Sequence, residues 1–398
     1  MSRCRMGGRA RLSVTIAAVS LSIAIAGCAA FEVEGAFDGL RSLTAIATPA
    51  NDPPRVFIIH GMTAHGDGYA DKLADSLGGN LGLARTSEDN QPLEVPGAIG
   101  YGETPKMNLR TYHYSDGERE RLRISALNWS PLTESIKQHQ FQEDDQLPRA
   151  LINGEIKTRV MNDGLSDAVL FLGRYQRVMR RGVMIGFCKF LEGDLVYDTC
   201  KPNGRSEAPV AFISESLGSY MLLDAIQTLN GTPMAMETSA AGLPLFKRLR
   251  VVYMFANQIP QLELSELKEA NAKASSSTAI SARTRFGAFL DLVRQAHARA
   301  RANARFAPFL RGPSGELVPL KVVAFTDPND LLSYRMRPEN LPVPAPGQPP
   351  SYELANVLSP NELAWFDLFA DPVMAHNGYQ ENGRVLDLVI CGSAGCGP

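Results

Sequence analysis

Between residues 210 and 220 the chain reads Val210-Ala211-Phe212-Ile213-Ser214-Glu215-Ser216-Leu217-Gly218-Ser219-Tyr220. An apolar run of strand character, opened by Pro209, passes directly into Ser-x-Ser-x-Gly and then into a helix spanning about 217–229, closed by Asn230-Gly231. A serine at such a strand-to-helix turn sits on a strained backbone. Its hydroxyl is lifted above the sheet at a helix N-terminus, where developing negative charge is favoured. The flanking residues must be small because strand and helix pass close together. Gly218 meets that demand, and Ser214 stands where glycine is usual, as the smallest polar replacement. Ser216 is therefore the candidate nucleophile; the plainer reading of the same residues is a serine-rich helix cap.

This strand–Ser-x-Ser-x-Gly–helix run resembles the nucleophile turn of the α/β-hydrolase superfamily. The resemblance implies a triad ordered Ser, Asp or Glu, then His along the chain. The acid is then expected after a later strand, where residues 321–325 lead into Thr326-Asp327-Pro328-Asn329-Asp330-Leu331-Leu332. Asp330, ahead of an aliphatic pair, is assigned that role. Asp327 is the alternative acid, although Asp-Pro is also a common turn feature. Of six histidines (His60, His65, His113, His139, His297 and His376) only His376 follows the acid, and it is assigned as the base. His60-Gly61-Met62, after the first apolar strand, resembles the family's oxyanion loop, so the backbone N–H groups of Met62 and Leu217 are expected to face the oxyanion. The implied chemistry is hydrolysis of a small-molecule or lipid ester through an acyl-enzyme, with no metal and no organic cofactor. The alternative is a non-catalytic envelope lipoprotein of the same fold that serves as a binding or scaffold protein. Ser214 in place of glycine and the two competing acids favour that alternative.

Residues 55–60, 209–213, 249–256 and 320–325 are short apolar runs bounded by turn residues and separated by helical patterns at 69–79, 165–190 and 217–229. Strands of this kind imply an α/β fold, with a mostly parallel central sheet covered by helices on both faces. Residues 109–114 and 122–129 read as strands around an Asp116-Gly117 turn, and 363–369 as a last strand. About 150 residues separate His60 from the nucleophile strand, so insertions are expected near 100–160 and 263–313. The second, with Phe286, Phe289, Leu290 and Val293 on one side and six arginines nearby, reads as a lid or cap, or as a solvated basic face.

Residues 1–27 carry four arginines, no acid, and an apolar run from Leu12 to Ala26 that is too short to span a bilayer. They read as a secretory signal. Ile25-Ala26-Gly27-Cys28 resembles the lipobox of bacterial lipoproteins, which implies cleavage before Cys28 and lipidation of that cysteine. The organisation expected is a signal at 1–27, a lipid-anchored tether at 28–53 and one hydrolase domain at 54–398, facing the periplasm from the outer membrane. Cys188, Cys200, Cys391 and Cys396 then remain, with three possible connectivities. The sequence-local pairing, Cys188–Cys200 with Cys391–Cys396, would persist in an oxidising compartment. Without the leader the chain holds 36 basic and 42 acidic residues, a charge of −6. That balance argues against a nucleic-acid partner, and no obligate protein partner is readable. Neither HExxH, a P-loop nor a dinucleotide fingerprint is present.

Overall fold

The computed structural model describes residues 31–46, 48–49, 52–203, 206–231, 243–266, 284–302, 316–337, 341, 347–361 and 370–396. The leader at 1–27, Cys28, the strand expected at 363–369, and residues 267–283 and 303–313 of the expected cap lie outside them.

Eleven strands are described: β1 (Glu32–Glu34), β2 (Arg55–Ile59), β3 (Ala84–Glu94), β4 (Lys106–Ser115), β5 (Glu120–Asn128), β6 (Gly193–Val196), β7 (Thr199–Pro202), β8 (Val210–Glu215), β9 (Leu249–Phe255), β10 (Leu320–Thr326) and β11 (Tyr352–Leu358). Nine form one sheet in the order β1-β11-β10-β9-β8-β2-β5-β4-β3. The six strands from β11 to β5 run parallel. β1 pairs antiparallel at one edge, and β4 and β3 at the other.

Nine helices matter to the site or to the layers: α1 (Leu40–Ala45), α2 (Asp71–Asn80), α3 (Pro131–Asp145), α4 (Ser166–Leu172), α5 (Gln176–Phe190), α6 (Leu217–Gly231), α7 (Arg285–Ala302), α8 (Pro372–Asn377) and α9 (Gly383–Cys391). The central strands are apolar at successive positions because both faces are covered. On β2, Phe57 and Ile59 enter the core built with α5, α6 and α7. Val56 and Ile58 enter the opposite core, built with α1, α2 and α9. Two disulfides fasten the periphery, Cys188–Cys200 between α5 and the β6–β7 hairpin and Cys391–Cys396 after α9.

Several expectations need correction. The expected tether is part of the folded body from Glu32 onward: β1 pairs with β11, and Phe37, Leu40 and Leu43 are buried against the sheet. Much of the 100–160 stretch is the sheet itself, since β5 is the parallel neighbour of β2. The helical pattern at 165–190 is two helices, α4 and α5, interrupted at Gly173. Helix α7 is a layer helix, with Phe286, Phe289, Leu290 and Val293 buried in the core it shares with α6, so the described part of the expected cap lies on the sheet's helical layer. β3 had no apolar signature because only Leu93 along it is buried.

Candidate active site

Ser216 occupies the single-residue turn between β8 and α6 with φ of +52°, in the left-handed region that a non-glycine residue enters only at a cost. Its N–H donates to the Phe255 carbonyl on the neighbouring strand at 2.9 Å, which ties the turn to the sheet. Strand and helix are closely apposed here: a Cβ on Gly218 would stand 2.2 Å from the His60 carbonyl oxygen. Ser214 takes the other flanking position without conflict. Its hydroxyl donates to the Tyr253 carbonyl at 3.3 Å and accepts from Ser219 Oγ at 2.9 Å, so the polar replacement is satisfied where it is buried.

The structure brings Ser216, His376 and Asp330 into one hydrogen-bonded chain. Ser216 Oγ is 3.1 Å from His376 Nε2, and His376 Nδ1 is 2.8 Å from Asp330 Oδ1. His376 lies in α8, whose N-cap Asp371 accepts from the N–H groups of Val373 and Met374. Burial alone would raise the Asp330 carboxyl. The His376 imidazole bonded to it, the Leu332 N–H and Ser333 hold it below the usual aspartate range. It is thus an ionised acceptor, and His376 Nδ1 is assigned as the donor to it. Asp327 lies elsewhere: its oxygens accept from the N–H groups of Asn329 at 2.7 Å and Asn361 at 2.5 Å, so it braces its own loop.

His60-Gly61-Met62 passes directly over the serine. A Cβ on Gly61 would stand 2.7 Å from Ser216 Cβ and 3.4 Å from Oγ, which only glycine permits. The next residue is Met62, and among the described residues no acceptor is bonded to the backbone N–H of Met62 or of Leu217. Ser216 and Leu217 are themselves fully buried. His60 itself is a buried, neutral anchor. Burial and the neighbouring His65 push its pKa well below the ordinary histidine value. Its Nδ1 donates to the Gly61 carbonyl at 2.8 Å and its Nε2 accepts from the Trp129 N–H at 3.2 Å. The two rings stack with centroids 4.9 Å apart.

Six residues that sequence reasoning missed complete the site. Tyr379 OH accepts from the Asp327 N–H at 2.6 Å and donates to Asp330 Oδ2 at 3.3 Å, so one buried phenol links both acids. Glu215, next to Ser216, accepts from Gln380 Nε2 at 2.5 Å. Burial raises its pKa against the opposing pull of His376 and Gln380. Asp167 Oδ2 accepts from the Thr63 N–H at 2.9 Å, and Asp163 Oδ2 from the Ala64 N–H at 3.4 Å. Buried Lys137 Nζ sits 2.8 Å from Asp163 Oδ1 and 3.0 Å from Asp167 Oδ1. That trio fixes the loop after Met62, where Thr63 adopts φ of +85°. Its signal was legible only as isolated charges, because Lys137 on α3 meets Asp167 on α4 and Asp163 just ahead of α4 through packing rather than through spacing.

Among the described residues no group of three or more His, Cys, Asp or Glu is arranged to hold a metal ion. No protein-family model, curated protein or solved structure matches this chain.

Proposed function

We propose that the protein is a serine hydrolase of carboxylic esters with an α/β-hydrolase fold, working through an acyl-enzyme. The observation that carries this reading is the Ser216–His376–Asp330 chain, whose two contacts, 3.1 Å and 2.8 Å, lie within the reach that proton transfer requires. Three residues separated by 46 and 114 positions along the sequence meet in the order that nucleophile, base and orienting acid need.

In the reaction, His376 Nε2 takes the Ser216 proton as Oγ attacks the ester carbonyl. Asp330 holds Nδ1–H and stabilises the imidazolium that forms. The oxyanion of the tetrahedral intermediate is bound by the N–H groups of Met62 and Leu217. Each such donor contributes about 10²–10³ in turnover. His376 returns the proton to the departing alcohol. Water then enters by the same base, forms a second tetrahedral intermediate and releases the acid. Envelope localisation through a lipid on Cys28 belongs to the same proposal, and the two disulfides, characteristic of oxidising compartments, support it.

The test is labelling of the full chain with a fluorophosphonate probe, read by intact mass, beside Ser216→Ala and His376→Ala. One adduct on the parent, absent from both variants, is the expected result. Folded parent protein that takes no adduct would overturn the reading in favour of a binding or scaffold role.

A further inference from the structure

The segment that holds the oxyanion loop has an outer face of opposite character. Residues Ile156–Leu165 wind as a wide π-helix and pass without a break into α4. In the wide turn, positions four or five apart share a face; in α4, positions three or four apart do. Ile156, Met161, Leu165, Val169 and Leu172 follow that changing rhythm, and all five are exposed, Val169 most at 64%. An unbroken apolar stripe thus faces outward where burial would be ordinary.

Charge is sorted across the same segment. Between residues 156 and 178 the acids are Asp163 and Asp167, and both turn inward onto Lys137. The bases are Lys157 and Arg159 at one end of the stripe and Arg174 and Arg177 at the other. Lys157 reaches Asp144 at 3.7 Å, and the three arginines are exposed. In a chain of net charge −2, this face is apolar along its length, and its ends carry these four bases against one exposed acid, Glu155. An apolar stripe bracketed by long cationic side chains matches an anionic lipid surface: the stripe enters the acyl boundary and the bases meet headgroup phosphates.

The inner side of the same segment packs on the elements around Ser216. A Cβ on Gly164 would lie 3.9 Å from Met62 Cβ, and Phe171 meets Tyr220 of α6 edge-on at 6.0 Å. On the opposite flank, exposed Leu331 follows Asp330 and exposed Met374 lies two residues before His376. We propose that the outer face of residues 156–172 docks on an anionic bilayer and brings the buried Ser216 site next to acyl esters held in it. The docking stands on the stripe and its charges; the substrate class rests on the hydrolase reading.

The test is tryptophan quenching in the full chain on vesicles of brominated phosphatidylcholine with phosphatidylglycerol. Val169→Trp places a reporter on the stripe. Tyr197→Trp places one on the exposed β6–β7 hairpin, beyond the far end of α5. The emission added by Val169→Trp is expected to fall by about half, that added by Tyr197→Trp to stay, and Leu165→Asp to abolish the difference. Equal quenching at both positions overturns the proposal. So does a blue shift of Val169→Trp that grows with protein concentration without vesicles, which would mark a second copy as the occupant. Fluorophosphonate labelling of the same samples reports on the hydrolase reading separately: quenching without a Ser216 adduct keeps the docking face and removes only the chemistry.

Discussion

The α-carbon of Gly218 rests against the carbonyl of His60, so closely that a Cβ there would stand 2.2 Å from the oxygen. This contact couples the helix that follows Ser216 to the loop that carries Met62. Gly218→Ala must push one of them away, since the obstructing atom is backbone. We expect a loss of about 1–3 kcal/mol in thermal unfolding and a fluorophosphonate labelling rate lowered by at least about tenfold. Unchanged labelling in the folded variant would show that the oxyanion loop does not depend on this contact.

The two aspartates of the 326–332 loop should separate chemistry from stability. On the proposed hydrolase reading, Asp330→Asn replaces the carboxylate that holds the His376 tautomer by an amide that can donate to Nδ1, and ester turnover should fall by about 10⁴. Asp327→Asn disturbs the bonds from the Asn329 and Asn361 N–H groups instead. It should cost about 1–3 kcal/mol of stability while turnover stays within about tenfold. The reverse pattern would move the acid to Asp327.

Lys137 is, among the described residues, the cation paired with the two carboxylates that brace the loop after Met62. Burial raises the Asp167 pKa even beside that cation, so removing the charge leaves the carboxyl with only the Thr133 hydroxyl and the Thr63 N–H to offset its burial. Lys137→Met should cost about 3–5 kcal/mol and slow labelling of the folded fraction. Lys137→Met with Asp167→Asn should recover part of both, because one buried charge goes with its partner. A single variant as stable as the parent would remove the brace from the account.

Buried His297 and half-buried Glu263 should bend the pH–stability curve in opposite directions. Burial, with Arg301 and Arg250 nearby, lowers His297 to about 4. The unfolded chain then binds the extra proton below about 6.5, so this group's contribution is present above that pH and is lost as pH falls toward 4. Burial raises Glu263 to about 7, with Glu266 adding to the rise. Its contribution is present below the unfolded value near 4.3 and is lost as pH rises through 7. His297→Gln should therefore lower, and Glu263→Gln should raise, the slope of unfolding free energy between about pH 4.5 and 6.5, each by up to about 1.4 kcal/mol per pH unit. Parallel curves for parent and variants would show that neither group titrates on unfolding.

The parallel core was legible because β2, β8, β9 and β10 are short apolar runs that need cover on both faces. β3 was not, since ten of its eleven residues are exposed and a polar edge strand carries no burial pattern. The wide π-helix of 156–165 escaped for a related reason: its spacing of five and four fits neither the helical nor the strand period. At the site, the turn at Ser216 could be read from small residues between a strand and a helix. Lys137, Asp163, Asp167, Tyr379 and Gln380 could not, because each acts through a partner supplied by another element.

By itself the sequence determined what is local: which runs must be buried, where the chain must turn around a small residue, and the order of Ser216, Asp330 and His376. Only the tertiary structure decided which of two aspartates three residues apart meets the imidazole, that His60 is a neutral anchor, and that the acids of 156–172 turn inward while its apolar residues face out. Those outcomes depend on distances between segments far apart in the chain. Such distances follow from the packing of both helical layers on one twisted sheet, which no local spacing encodes.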